Sequence, residues 1–165
     1  MKKGLLLILI VLLVTGCSKL SSDNMDTTVN GIVTSKIKTN RVSNSYKYYL
    51  PLGVTNLMDY EFNGELQYKN NYLYMYVDII SYNYKNNLNF DQKGEYNYYF
   101  KSLNNNGFIG VNKLEDGRYY GTVVYNYAKI EFYSDKEDLY DTLAVSLIIL
   151  SSIEYNDAAI SNLIN

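Results

Sequence analysis

The chain has 165 residues, 15 basic and 17 acidic side chains, a net charge of −2, one cysteine, no tryptophan and no histidine. Lack of histidine removes Ser-His-Asp and Cys-His catalysis, imidazole acid–base chemistry near neutral pH, and His-ligated zinc. The mild acidity argues against nucleic acid as a partner, and no G-x-x-x-x-G-K-[ST] or G-x-G-x-x-G loop is present to cradle a nucleotide.

The first residues carry an address. Met1-Lys2-Lys3 is basic, Gly4 to Val14 is an unbroken apolar run, and the small residues Thr15-Gly16 precede Cys17. This is the layout of a secretory signal. The run is about half of the ~20 residues that a helix needs to cross the hydrocarbon layer, so it reads as a signal rather than a spanning anchor. Val14-Thr15-Gly16-Cys17 resembles the lipobox of bacterial lipoproteins: an aliphatic residue, a small residue, Gly or Ala, then Cys. The resemblance implies removal of residues 1–16, a diacylglyceryl group on Cys17, and an extracytoplasmic protein anchored to the bacterial cell membrane by that lipid. Two acyl chains suffice for stable anchoring where one does not. Lipid on Cys17 also leaves no thiol for a disulfide, a nucleophile or a metal.

The remaining 149 residues carry 13 basic and 17 acidic side chains, net −4, and suit one domain without covalent staples. Their bias is unusual, with 20 Tyr against 5 Phe and 21 Asn. Asn, Tyr, Ile and Lys share A/T-rich codons, which accounts for the bias; selection for a tyrosine-rich binding face is the alternative.

Residues 17–28 read as the lipidated N-terminus and a polar tether, and 29–165 as a single α+β domain. Strand signals follow over 29–37 and 46–50, then the turn chemistry of Pro51-Leu52-Gly53. Residues 60–68 alternate, and Lys69-Asn70-Asn71 connects them to the strongest strand, 72–82. There Leu73, Met75, Val77 and Ile79 form one face, and Tyr72, Tyr74, Tyr76, Asp78, Ile80 and Tyr82 the other. Residues 84–94 are loop-like, and 95–103 lean towards a short helix on their aromatic spacing. Strands over 108–113 and 118–125 flank Leu114-Glu115-Asp116-Gly117, where Asp-Gly signals a hairpin. The second strand is expected to run on, bent, through 128–133. Ser134-Asp135-Lys136-Glu137 reads as a capping box. It opens a long helix with Leu139, Leu143, Leu147 and Leu150 on one stripe and Val145 and Ile149 on the far side. A short strand over 152–155 and a terminal helix over 157–165 end the chain.

This order gives an α+β fold, a mostly antiparallel sheet with a long C-terminal helix packed on it. Leu50-Pro51-Leu52-Gly53, two hairpins and a C-terminal helix together resemble the PsbP/Mog1-type fold. The resemblance implies an accessory or partner-binding protein, although fold does not fix function.

The candidate ligand-binding residues are Tyr72, Tyr74, Tyr76, Asp78 and Tyr82, because tyrosine offers apolar area and a hydroxyl together. The competing reading is that the C-terminal helix covers that same face. Carboxylates give the alternative function, an envelope hydrolase with a pair that includes Asp78; Asp59, Glu61 and Glu65 read as solvated. Asn87-x-Asn89-x-Asp91 has the beginnings of a calcium loop but Gln92 where glycine is needed. No motif implies a cofactor, a metal or a catalytic residue. The sequence reads as a non-enzymatic envelope protein whose partners are the membrane, through Cys17, and a protein or glycan.

Overall fold

From Asn71 to Val77 buried and exposed residues alternate without a break, and a strand turns successive side chains to opposite faces. This segment therefore fixes an inside and an outside. The computed structural model describes residues 22–86, 94–102 and 105–164. In chain order they form α1 (Ser22–Val33), β1 (Arg41–Val42), β2 (Tyr46–Tyr48), β3 (Val54–Asp59), β4 (Asn63–Tyr68), β5 (Asn71–Val77) and α2 (Ile79–Tyr84). They continue as β6 (Tyr96–Ser102), β7 (Asn105–Lys113), β8 (Tyr119–Tyr125), β9 (Ala128–Ser134), α3 (Leu139–Ser151), β10 (Glu154–Tyr155) and α4 (Asp157–Ile164).

The fold is α+β. Seven strands make one sheet in the order β3-β4-β5-β9-β8-β7-β6, and every neighbouring pair is antiparallel. Two meanders thus meet where β5 pairs with β9. A three-stranded sheet, β1-β2-β10, stands apart. The long helix α3 packs across β8 and β9, with α1 beside it. Leu66, Leu73, Ile130, Phe132, Leu143 and Leu147 fill the space between sheet and helices. The predicted leucine stripe of α3 is buried along its whole length, and Ile149 is buried as well. Part of the second contact comes from α1, where the Tyr140 hydroxyl donates to the Asn24 carbonyl at 3.2 Å and hydrogen-bonds Thr28.

Several segments differ from the sequence reading, each for a local reason. Residues 22–33 are helical, where a tether and then a strand were expected. Met25, Val29, Ile32 and Val33 share one face at helical spacing, with Met25 and Val29 buried, a period that runs across the expected boundary. A separate strand, β3, precedes β4, and the two hydrogen-bond across Tyr60-Glu61-Phe62. The strand expected to reach Tyr82 stops at Val77. Asp78 accepts the Ser81 amide at 2.8 Å and so caps α2. Residues 96–102 form a strand rather than a helix, because Tyr96, Tyr98 and Phe100 alternate towards the core and pair with β7. At Asn126-Tyr127 (φ 51 and 58) the chain reverses instead of running on into 128–133. Two successive residues at positive φ match the twist of a two-residue hairpin. The capping box at Ser134 does not form. The Ser134 hydroxyl donates to the Asp135 carbonyl, residues 135–138 make a turn, and α3 starts at Leu139.

Candidate functional site

The helices cover the face of β5 that carries Leu73, Met75 and Val77. The opposite face is open, and Tyr72, Tyr74 and Tyr76 stand on it 47%, 47% and 44% exposed. The expectation that the C-terminal helix covers the tyrosines is therefore corrected. Register supplies their neighbours. Gln67 lies across from Tyr72, Glu65 and Glu131 flank Tyr74, and Asn63 and Lys129 flank Tyr76. On β9, Tyr133 joins the row, half-exposed, with its ring 5.4 Å from Tyr120 of β8.

At one end of this face the turn between β4 and β5, the hairpin between β7 and β8 and the end of β9 enclose a cleft of about 350 Å³. Tyr72, Tyr74 and Tyr133 form its aromatic walls, and Asn70, Arg118 and Asp135 supply polar atoms. Sequence and fold explain each placement. Asn70 is held by Lys69, which adopts φ 53 and bridges to Asp138 (2.7 Å) and Asp141 (3.0 Å); both bridges hold the Lys69 ammonium charged well above the ordinary lysine range. Arg118 ends the hairpin whose turn Gly117 permits at φ 88. Its guanidinium pairs with Asp116 at 2.8 Å and lies 5.8 Å from the Tyr133 ring centre. Hydrogen bonds from the Arg118 amide and side chain hold the Asp116 carboxyl below the usual carboxylate range. The positive charge beside the cleft is thus already balanced.

Of the five residues singled out in the sequence, Tyr72, Tyr74 and Tyr76 come together. Asp78 and Tyr82 do not join them. Asp78 caps α2, and Tyr82 lies on that helix in a separate aromatic cluster. Its ring stacks on Tyr155 at 3.8 Å and 14°, meets Tyr127 edge-on at 5.6 Å, and has the Lys85 ammonium 3.6 Å above it. The Tyr82 hydroxyl donates to Asp157 at 2.8 Å, and burial with this bond pushes its pKa up to about 12. Burial also raises the Tyr155 phenol, with Asp78 nearby adding to the effect. This cluster ties α2, the β8–β9 turn, β10 and α4 together.

Asp135 is the one carboxylate lining the cleft among the described residues, and no group of three metal-ligating side chains occurs among them. The sequence around Asn87-x-Asn89-x-Asp91 lies outside the described residues, as does Cys17. No described helix is long and apolar enough to cross a membrane.

Residues 1–18 match the model of the prokaryotic membrane lipoprotein lipid attachment site. The chain is a lipid-anchored lipoprotein. The domain of this lipoprotein is exposed outside the cytoplasm, and the membrane holds it through the lipid. Comparison with curated proteins and with solved structures finds no match for the lipoprotein.

Sequence reasoning missed Asn70, Arg118, Tyr133 and Asp135. Tyr133 carried a usable signal, since it alternates with the apolar Phe132 within Ala128–Ser134. Its position beside Tyr72 follows only from the β5–β9 pairing, which no local pattern announces.

Proposed function

We propose that this lipoprotein is a non-enzymatic binding protein of the cell envelope and that its tyrosine-walled cleft takes a neutral glycan segment. One observation carries the reading: three half-exposed tyrosines surround a cleft of about 350 Å³ that also holds amide, guanidinium and carboxylate groups. A sugar ring presents apolar C–H faces and a rim of hydroxyls, and tyrosine pairs a flat apolar face with a polar tip. The volume falls at the low end for ligand sites, roughly 300–1,000 Å³, and suits a short saccharide better than a folded partner. Arg118 is neutralised by Asp116, which favours an uncharged ligand over a phosphate. The PsbP/Mog1-type resemblance, carried by element order and the Leu50-Pro51-Leu52-Gly53 turn, points to the same accessory class.

A hydrolase would need a second carboxylate across the cleft from Asp135, and Asp78 is engaged in capping α2. The test is co-sedimentation with purified envelope polysaccharides, comparing wild type with Tyr74→Ala and Tyr133→Ala. Retention of the wild type and at least a tenfold loss in both variants is the expected result, equivalent to ~1.4 kcal/mol or more. Equal retention of all three, or none of the wild type, overturns the glycan reading. Wild type that ignores glycans yet crosslinks to a protein through Tyr74 replaces it with a protein partner.

A further inference from the structure

The most exposed large apolar side chain among the described residues is Leu52, at 95%. It stands at the corner of a turn that closes from the Val54 amide to the Pro51 carbonyl at 3.1 Å, with Gly53 at φ 84. The turn is held firmly. The Asn40 carboxamide clamps both backbone groups of Leu50, at 2.7 and 3.0 Å, and Gly53 rests near the Tyr68 ring. An unprotected leucine on so rigid a support has no role in the core.

Its place in the fold gives it one. Val54 pairs with Tyr68, the next residue Lys69 bridges to the start of α3, and Tyr140 there hydrogen-bonds Asn24 and Thr28 of α1. From α1 the chain runs down to Asn40, beside Leu50, and Tyr49 meets Ser152 at the far end of α3 at 2.8 Å. β3 begins at Val54, beside the β4–β5 turn that bridges to the start of α3, and α1 packs by β6 at the other edge of the sheet. The Leu52 turn and the α1 residues that meet Tyr140 thus lie towards the same end on opposite flanks, with Tyr49 reaching back to the end of α3. Five residue steps separate Cys17 from Ser22, which span at most ~18 Å in any conformation. The lipid on Cys17 therefore keeps the start of α1 within about that distance of a bilayer.

We propose that Leu52 inserts into the bilayer that carries the Cys17 lipid, so that the domain stands end-on. Insertion removes an exposed leucine from water, and tethering supplies the high effective concentration that lets a single side chain act. Asn70 and Arg118 lie at this same end, so the tyrosine cleft opens close to the membrane surface. Tyr60, just beyond the far end of β3, lies roughly 20 Å along the strand from the Leu52 turn.

The absence of tryptophan makes this directly testable. Full-length lipidated protein carrying Leu52→Trp or Tyr60→Trp is reconstituted into phosphatidylcholine vesicles with brominated acyl chains. Both positions are exposed, at 95% and 62%, so either replacement is compatible with folding. The expected result is blue-shifted emission with several-fold bromine quenching for Leu52→Trp, and unshifted, unquenched emission for Tyr60→Trp. Unquenched Leu52→Trp in membrane-bound protein overturns the proposal, and equal quenching at both positions replaces it with a domain lying on its β3 edge.

Discussion

Leu73 and Tyr74 are neighbours in one strand and live in different solvents. Leu73 is fully buried beneath the helices, whereas Tyr74 is 47% exposed on the opposite face. The inner face is committed to holding the fold together. The outer face keeps its cross-strand pairs, and among the described residues no layer packs over it at β5, so its side chains can meet something else. The largest expected effect tests this division. Leu73→Ala is expected to destabilise by about 2–5 kcal/mol, the range for emptying a buried leucine site. Tyr74→Ala is expected to lose less than about 1 kcal/mol, the scale of one cross-strand pair. Urea unfolding of both variants checks it, and equal losses would mean that the tyrosine face is also part of the core.

The inner face is close-packed enough to exclude one methyl group. A Cβ on Gly121 would clash with the Phe132 ring, and Phe132 is Gly121's partner across β8 and β9. The ring fills the place of the missing side chain. Gly121→Ala should therefore destabilise by about 1–3 kcal/mol, as overpacking does. Combining it with Phe132→Leu should cost less than the sum of the two single changes, because the residues share one space. Strict additivity in a double-mutant cycle would refute the contact.

The same division explains what was legible in the sequence. Buried elements announced themselves through period. The Leu139-Leu143-Leu147-Leu150 stripe, the alternation through β5 and the Asp116-Gly117 hairpin all appear where the residues placed them. Failures came where one local signal imitated another. The β-branched Val29, Ile32 and Val33 resembled a strand, and burial against α3 outweighed propensity. Asp78 looked like one more outward residue of a long strand, yet its carboxylate starts a helix. The tyrosine ladder was visible as a pattern, but its exposure was not, because sequence alternation does not say which face the helix takes. The cleft was invisible, since it draws on three separated connections that meet only through the β5–β9 pairing.

Tyr82 sharpens the comparison, as a tyrosine taken out of the ladder and used for structure. Its phenol holds its proton up to about 12, whereas an unfolded tyrosine releases it near ~10. Between those values the folded state binds more protons than the unfolded one, so stability falls as pH rises. The contribution is complete below pH ~10 and is lost on the way to 12. Tyr155 and Tyr120 act in the same direction, both raised chiefly by burial. Chemical unfolding followed across this range should show stability falling above pH ~10, and Tyr82→Phe should make that fall shallower. An unchanged slope in Tyr82→Phe would place the alkaline loss elsewhere.

The smallest expected effect concerns Lys69, a side chain that links the two sides. Lys69 leaves the β4–β5 turn beside the cleft and reaches Asp138 and Asp141 at the start of α3. Both bridges are solvent-accessible, and exposed pairs contribute about 0–1 kcal/mol each because water and salt screen them. Lys69→Met keeps the length of the stem and the φ 53 backbone position of a non-glycine residue, so it isolates the charge. The expected loss is less than about 1 kcal/mol at low salt, and it should shrink as salt is added. Binding at the cleft provides the second reading. If the bridges serve to position Asn70, Lys69→Met should weaken ligand retention by more than its stability loss predicts. If retention follows stability alone, the turn is held by backbone geometry and by the buried Asn71–Thr142 hydrogen bond at 3.1 Å, and the bridges to α3 are dispensable.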